Sequence, residues 1–155
     1  MLMHLLISFL FVASCAMIHG LGMLIGMKQF TKLWCLVKYS RYLPRMFWIL
    51  IRVVFGLLVL HLLQFTVWAA FFDMGHYFPN LETAFYHSVT SYSTVGYGDV
   101  IPPEIWRVFG AIEAVTGVLM FGWSTDVLFA VVHRVRTNLI HLPDSAHTPV
   151  AELIP

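Results

Sequence analysis

The residues whose types and spacing can do chemistry lie at 94–99, which read Thr-Val-Gly-Tyr-Gly-Asp. Apart from Asp99, no side chain in that run is a strong ligand, base or nucleophile. The chemistry on offer belongs to the backbone. Gly96 and Gly98 open backbone angles closed to residues with a side chain, so successive carbonyls can turn to one side instead of alternating. A row of carbonyl oxygens facing one axis replaces the water shell of a cation, with no charged side chain to hold the ion too tightly. Thr94 adds a hydroxyl at one end. Val95 and Tyr97 are expected to point away from the axis and pack behind it, which sets its width.

Such a strand needs surroundings where water is scarce, and the rest of the chain supplies them. Of 155 residues, 59% are hydrophobic and 11% charged, and the mean hydropathy is +0.80. Soluble domains average about a quarter charged residues, so the composition points to lipid as solvent. Residues 1–27 carry no charge, 46–72 carry only Arg52, and the stretch between Glu104 and Val132 holds only Arg107, Glu113 and Asp126. Each exceeds the roughly 20 residues a helix needs to cross a ~30 Å hydrocarbon core. A further segment at 81–93 is too short to span. Asn80 is placed to cap it, and Glu82 lies in its first turn, where the helix dipole favours an acid. Pro102-Pro103-Glu104 opens the last span. Non-helical backbone at membrane depth is tolerated only where protein buries it or it lines a watery pathway. The expected fold is therefore an all-α membrane protein, with three transmembrane helices plus a re-entrant helix and loop. The expected divisions are a first helix at 1–27, a basic connection at 28–45, a two-span unit at 46–137 and a short tail at 138–155. Within the unit, the outer helix is 46–72, the short helix 81–93, the loop 94–99 and the inner helix 103–137.

Lys28, Lys32, Lys38, Arg41 and Arg45 fill the first connection, and Arg134 and Arg136 come after the last span. By the positive-inside rule those segments are cytoplasmic, in a cell (inner) membrane, with the N-terminus and the 73–103 region outside. Asp73, Glu82, Asp99 and Glu104 then form an acidic outer rim that concentrates cations, or are simply solvated loop and cap residues. Val12-Ala13-Ser14-Cys15 loosely resembles a lipoprotein cleavage box. No Lys or Arg precedes it and the apolar run continues to Met27, so a first span is expected instead. Cys15 and Cys35 imply no disulfide.

The 94–99 segment resembles the selectivity filter of potassium channels, matching that family's signature residue for residue. A chance match of the five core residues is on the order of one in ten thousand. The resemblance implies potassium coordinated at Thr94, Val95, Gly96 and Tyr97, with Gly98 completing the filter. It implies selectivity over sodium as well, since non-selective relatives commonly replace the tyrosine. The family builds its filter from four strands, so one strand per chain implies a homotetramer in membrane lipid. The inner helix looks like the family's pore-lining helix. Carried over with a one-residue gap, Gly117 falls at a hinge, or serves close packing. By the same alignment Val118, Phe121, Thr125 and Phe129 line the cavity and gate.

Departures from the family pattern set further expectations. No regularly spaced arginines occur in 1–27, so voltage sensing by charge movement is not expected. The first span adds to the family's two-helix minimum, as in small bacterial channel-like proteins. Tyr86-His87 stands where aromatic pairs brace the filter; His87 is either a braced histidine or a sensor of outside pH. Thr90 stands where some bacterial members carry a glutamate tied to the filter aspartate. Asp126 and Glu113 sit about 140° apart around the helix and cannot both face the pore. Asp126, as a ring of four, would draw cations inward or hold blocking ones. Glu113 is left to bond behind the filter. Each is otherwise a structural acid, protonated or paired. His61 and Gln64, one turn apart, are expected to bond a neighbouring helix, while His4 and His19 are too isolated to argue a metal site.

Potassium is the transported ion, and no cofactor, nucleic acid or small-molecule substrate is evident. No nucleophile–base pair or metal-ligand cluster supports an enzyme. The competing class is a non-conducting or heteromeric regulatory subunit. A transporter subunit would normally carry several degenerate pore loops in a longer chain.

Overall fold

A computed structural model describes residues 2–37 and 43–141. Among them the elements are α1 (Leu2–Val37), α2 (Leu43–Met74), α3 (Leu81–Tyr92), a 3₁₀ turn (Glu104–Trp106) and α4 (Arg107–His141). The helices α1, α2 and the turn with α4 are each long and apolar enough to cross a membrane, and α3 is not. The chain is an all-α, multi-pass membrane protein.

Boundaries differ from expectation at each element: α2 is longer than 46–72 at both ends, α3 closes at Tyr92 rather than 93, the last span opens with the 3₁₀ turn at Glu104, and the first and last helices extend furthest. The first helix does not end at Met27 but runs ten residues further, through Lys28 and Lys32. The stretch holds no proline or glycine, and its apolar face continues: Phe30 stacks on Trp34 at 5.7 Å, and Trp34 packs with Met46 and Val135. The Arg134 guanidinium lies 5.6 Å from the Trp34 ring centroid, a cation–π contact. Most of the expected 28–45 connection is thus helix, and Lys38 and Arg41 lie outside the described residues. At the other end, α4 continues past 137 to His141, and the remaining tail also lies outside them.

Contacts along α1 fix the topology. His4 meets Trp106 edge-on at 4.6 Å, and Phe11 meets Phe71 at 5.3 Å. Further along α1, Cys15 bonds Gln64 and Trp34 reaches Met46 and Val135. Hence α1 runs antiparallel to α2 and parallel to α4. Charges segregate accordingly. Lys28, Lys32, Arg45, Arg134 and Arg136 sit at one end, while Asp73, Glu82, Asp99 and Glu104 sit at the other.

Packing is concentrated in the acidic half. Cys15, Phe65, Trp68, Phe72, Ala84, Tyr92, Trp106, Phe109 and Met120 form one buried cluster around α3. Phe71 and Phe109 rings lie 4.3 Å apart, Trp68 and Phe109 4.7 Å. Outward-facing Phe9, Leu10, Phe47, Phe55 and Leu63 are exposed. In water such a surface would be an association patch; in lipid it is ordinary, since lipid tails are as apolar as leucine.

Candidate functional site

The site begins with α3. Asn80 caps it, its side-chain Oδ1 accepting from the Thr83 backbone N–H and hydroxyl, both at 2.8 Å. The helix closes at Tyr92, and Ser93 caps it by donating its N–H to the Val89 carbonyl at 3.0 Å. The chain then reverses. Thr94 N–H donates to the Ser91 carbonyl at 2.9 Å, and Gly96 N–H to the Thr90 carbonyl at 3.0 Å.

From Thr94 the backbone alternates in hand. Thr94, Gly96 and Gly98 have φ of 62°, 48° and 77°. Every second residue is therefore left-handed, which turns what would be alternating carbonyls toward one side. The two glycines are the residues whose type invites this conformation. Thr94 adopts it too, although it is β-branched and the left-handed region is a true outlier for it, costing on the order of 1–3 kcal/mol. The readable signal was parity: 94, 96 and 98 share one side of the strand.

The Asp99 end of the strand is hydrogen-bonded to α3. Tyr86 donates its hydroxyl to Asp99 Oδ2 at 2.8 Å, and Asp99 Oδ1 accepts the Val100 N–H at 3.0 Å. His87 Nδ1 donates to the Val100 carbonyl at 3.0 Å. A carbonyl only accepts, so Nδ1 carries the proton, and Nε2 is left to accept from Ser91 Oγ at 3.4 Å. Thr90 does not reach Asp99. Its hydroxyl donates back to the Tyr86 and His87 carbonyls, both at 3.0 Å, and its own carbonyl accepts the Gly96 N–H.

Burial holds the His87 pKa below the ordinary imidazole value, with the Val100 carbonyl bond opposing by less. Phe72, Phe78, Ser91 and Gly110 around the ring carry no charge. A lowered pKa means the neutral brace contributes fully above the ordinary value of about 6.5 and weakens as pH falls below it. Thermal stability should therefore be flat between pH 8 and 7 and decline only in the acid range. His87→Phe should remove that acid limb. Melting curves across the pH range check this, and a wild-type decline already at pH 7.5 would contradict it.

Burial of the 94–98 strand is incomplete among the described residues. Val95 is 53% exposed and Tyr97 73%, so neither packs behind its own strand as expected. An open cavity of about 370 Å³ lies beside the strand, lined by Thr94, Gly96, Gly98, His87, Pro102 and Ala114 among others.

On α4, Gly117 is buried against the carbonyl of Tyr92, where a Cβ would overlap backbone atoms. Close packing is thus its observed role. Val118, Thr125, Asp126 and Phe129 are exposed on the face turned away from the subunit core. Phe121 departs from that set. It packs against His61 at 4.3 Å and Tyr92 at 5.7 Å, inside the subunit. Glu113 is fully buried. Ser88 on α3 is near enough to influence it, yet neither its carboxyl oxygens nor the Ser88 hydroxyl has a hydrogen-bond partner among the described residues.

His61 and Gln64 do meet a neighbouring helix, in a way the sequence did not reveal. Gln64 is fully buried, and its Oε1 accepts the Tyr92 hydroxyl at 2.5 Å. Its Nε2 donates to the Cys15 carbonyl at 3.0 Å and to His19 Nδ1 at 3.2 Å. His19 Nε2 lies 3.3 Å and His61 Nε2 3.0 Å from Ser124 Oγ. Among the described residues no group of His, Cys, Asp and Glu is arranged to hold a metal ion.

These features, a short capped helix reversing into an alternating backbone strand between two spanning helices, define a pore-loop membrane protein. The profile of the family described as "Ion channel" matches residues 47–134, more than half the chain, and the chain belongs to that family. Its members are channels, not enzymes. The chain is similar to the voltage-gated potassium channel Kch of Escherichia coli (strain K12), 34% identical over 81 residues, 50% of this chain and 19% of that protein. It is also similar to potassium voltage-gated channel subfamily A member 2 of Xenopus laevis and of Mus musculus. Both are 38% identical over 52 residues, 33% of this chain and 10% of theirs. The chain thus spans less than a fifth of these curated relatives' length. No solved structure matches it.

Proposed function

We propose that the chain is one subunit of a potassium-selective channel that conducts K⁺ passively, without a cofactor, through carbonyls of Thr94, Val95, Gly96 and Tyr97. The observation that carries this is the left-handed alternation at Thr94, Gly96 and Gly98, which aims carbonyls to one side. One strand encloses nothing, and Val95 and Tyr97 are left uncovered in a single chain. Four copies around a common axis supply the missing walls, so the subunit acts as a homotetramer in a cell membrane. The basic end of the bundle is cytoplasmic, by the positive-inside rule. The voltage gating named for the relatives is not carried over. The basic residues of α1, Lys28 and Lys32, lie near its end rather than at regular intervals.

In this arrangement the exposed face of α4 lines the pathway, with Val118, Thr125 and Phe129 around the cavity and Asp126 supplying a ring of acids. Asp126→Asn should change rectification or inward K⁺ flux; unchanged currents would remove that role. Glu113 lies on the opposite, buried face and supports the filter from behind through α3. Wild-type selectivity and inactivation in Glu113→Gln would count against it. Liposomes loaded with K⁺ test the whole reading. Flux should occur in K⁺, fail when Na⁺ replaces it, and stop with barium. Absence of flux from folded protein at any pH would favour the regulatory-subunit alternative.

A further inference from the structure

The pore unit needs only α2, α3 and α4, and α1 stands outside the matched 47–134 region. Yet α1 supplies two of the three hydrogen bonds made by Gln64. The Cys15 carbonyl accepts only, which fixes the Gln64 amide orientation with Nε2 toward α1 and Oε1 toward Tyr92. His19 Nδ1 accepts from that amide, so its Nε2 carries the proton and donates to Ser124. The Ser124 hydroxyl can then donate to His61 Nε2. Donors run in one direction from Tyr92 through α2 and α1 to α4. Tyr92, Gln64 and His19 are fully buried, His61 and Ser124 nearly so. In a membrane interior no water competes for these partners.

The chain of bonds ends at a significant place. Tyr92 is the last residue of α3, two positions before Thr94. Its carbonyl is pressed against Gly117 and its hydroxyl is held by Gln64. Both clamps set how deep the filter base sits. Resting on the channel reading above, we propose that α1 is part of the filter's support: His19 and Gln64 are positioning residues that hold Tyr92, and through it the base of the filter, in its ion-binding geometry. The residues touch no ion; they act through Tyr92.

The test uses the purified full chain in lipid nanodiscs, melted while tryptophan fluorescence is monitored, in K⁺ and Na⁺ series. A filter that binds K⁺ is protected by it, with a midpoint concentration. Gln64→Leu and His19→Leu should raise that midpoint roughly threefold to tenfold, the span expected for a lost hydrogen bond. The double variant should do no more than the larger single one, since both act on one link. His19→Asn, which keeps an acceptor for Gln64, should stay near wild type. Tyr92→Phe removes only the hydroxyl and keeps the packing, so it should show the same shift even if a leucine variant does not fold. Variants that lose stability equally in K⁺ and Na⁺, with the wild-type K⁺ midpoint, would make the network purely structural and overturn the proposal. A wild-type protein without K⁺-specific protection would instead overturn the channel reading beneath it.

Discussion

Gly98→Ala is expected to abolish potassium flux while leaving the helices folded. At Gly98, φ is +77°, and a built Cβ meets nothing within 4 Å. Within one chain space is therefore not the obstacle; the backbone is. An L-residue with a side chain loses on the order of 1–2 kcal/mol per site in the left-handed region, and in the proposed tetramer the same loss would occur four times around one axis. The strand relieves it by rotating its peptide, which turns a carbonyl away from the ion path. Gly96→Ala, at φ +48° with the same open surroundings, should behave alike. Flux in liposomes, with circular dichroism to confirm helix content, reads the result. Near-normal flux in either variant would mean that the alternating backbone is not what carries the ion.

The second large effect is expected at Gly117, and it separates two roles. A hinge glycine tolerates alanine, at the expense of some opening. A packing glycine does not. The Cβ of Gly117→Ala would fall on the Tyr92 carbonyl, so α4 and the end of α3 must move apart. Overpacking of this kind usually costs about 1–3 kcal/mol, here at the base of the filter. Gly117→Ala should therefore lower thermal stability and disturb selectivity together. Gly122, with open space around it within the chain, is the control for folding, and Gly122→Ala should leave thermal stability unchanged. A Gly117→Ala protein with wild-type stability and selectivity, altered only in opening, would restore the hinge.

The residues readable in advance were those whose role is local. The N-cap at Asn80, the short α3 and the two filter glycines come from turn chemistry and backbone freedom within a dozen residues. Tyr86 and His87 were legible as braces through family likeness, and their partners Asp99 and Val100 lie within the same loop. What the sequence hid is tertiary. His19 looked isolated because its partners, Gln64 and Ser124, are 45 and 105 residues away. The extra turns of α1 past Met27 were hidden because lysines read as a connection, when Phe30 and Trp34 were continuing the packed face. Phe121 shares the spacing of the pore-lining set, but a one-face periodicity does not say where that face ends. At its edge, His61 and Tyr92 draw the ring inward. Helical angle sets Asp126 and Glu113 on different faces, and burial places Glu113 against the core and Asp126 away from it.

Selection of potassium by this backbone is tested most directly by a reversal potential. The reconstituted protein is placed in a planar bilayer with K⁺ on one side and Na⁺ on the other. A large potential is expected, of the sign set by K⁺ leaving its own side, and it should vanish in Gly98→Ala along with the current. A wild-type current that reverses near zero would show a pore that passes both ions, and would contradict potassium selectivity.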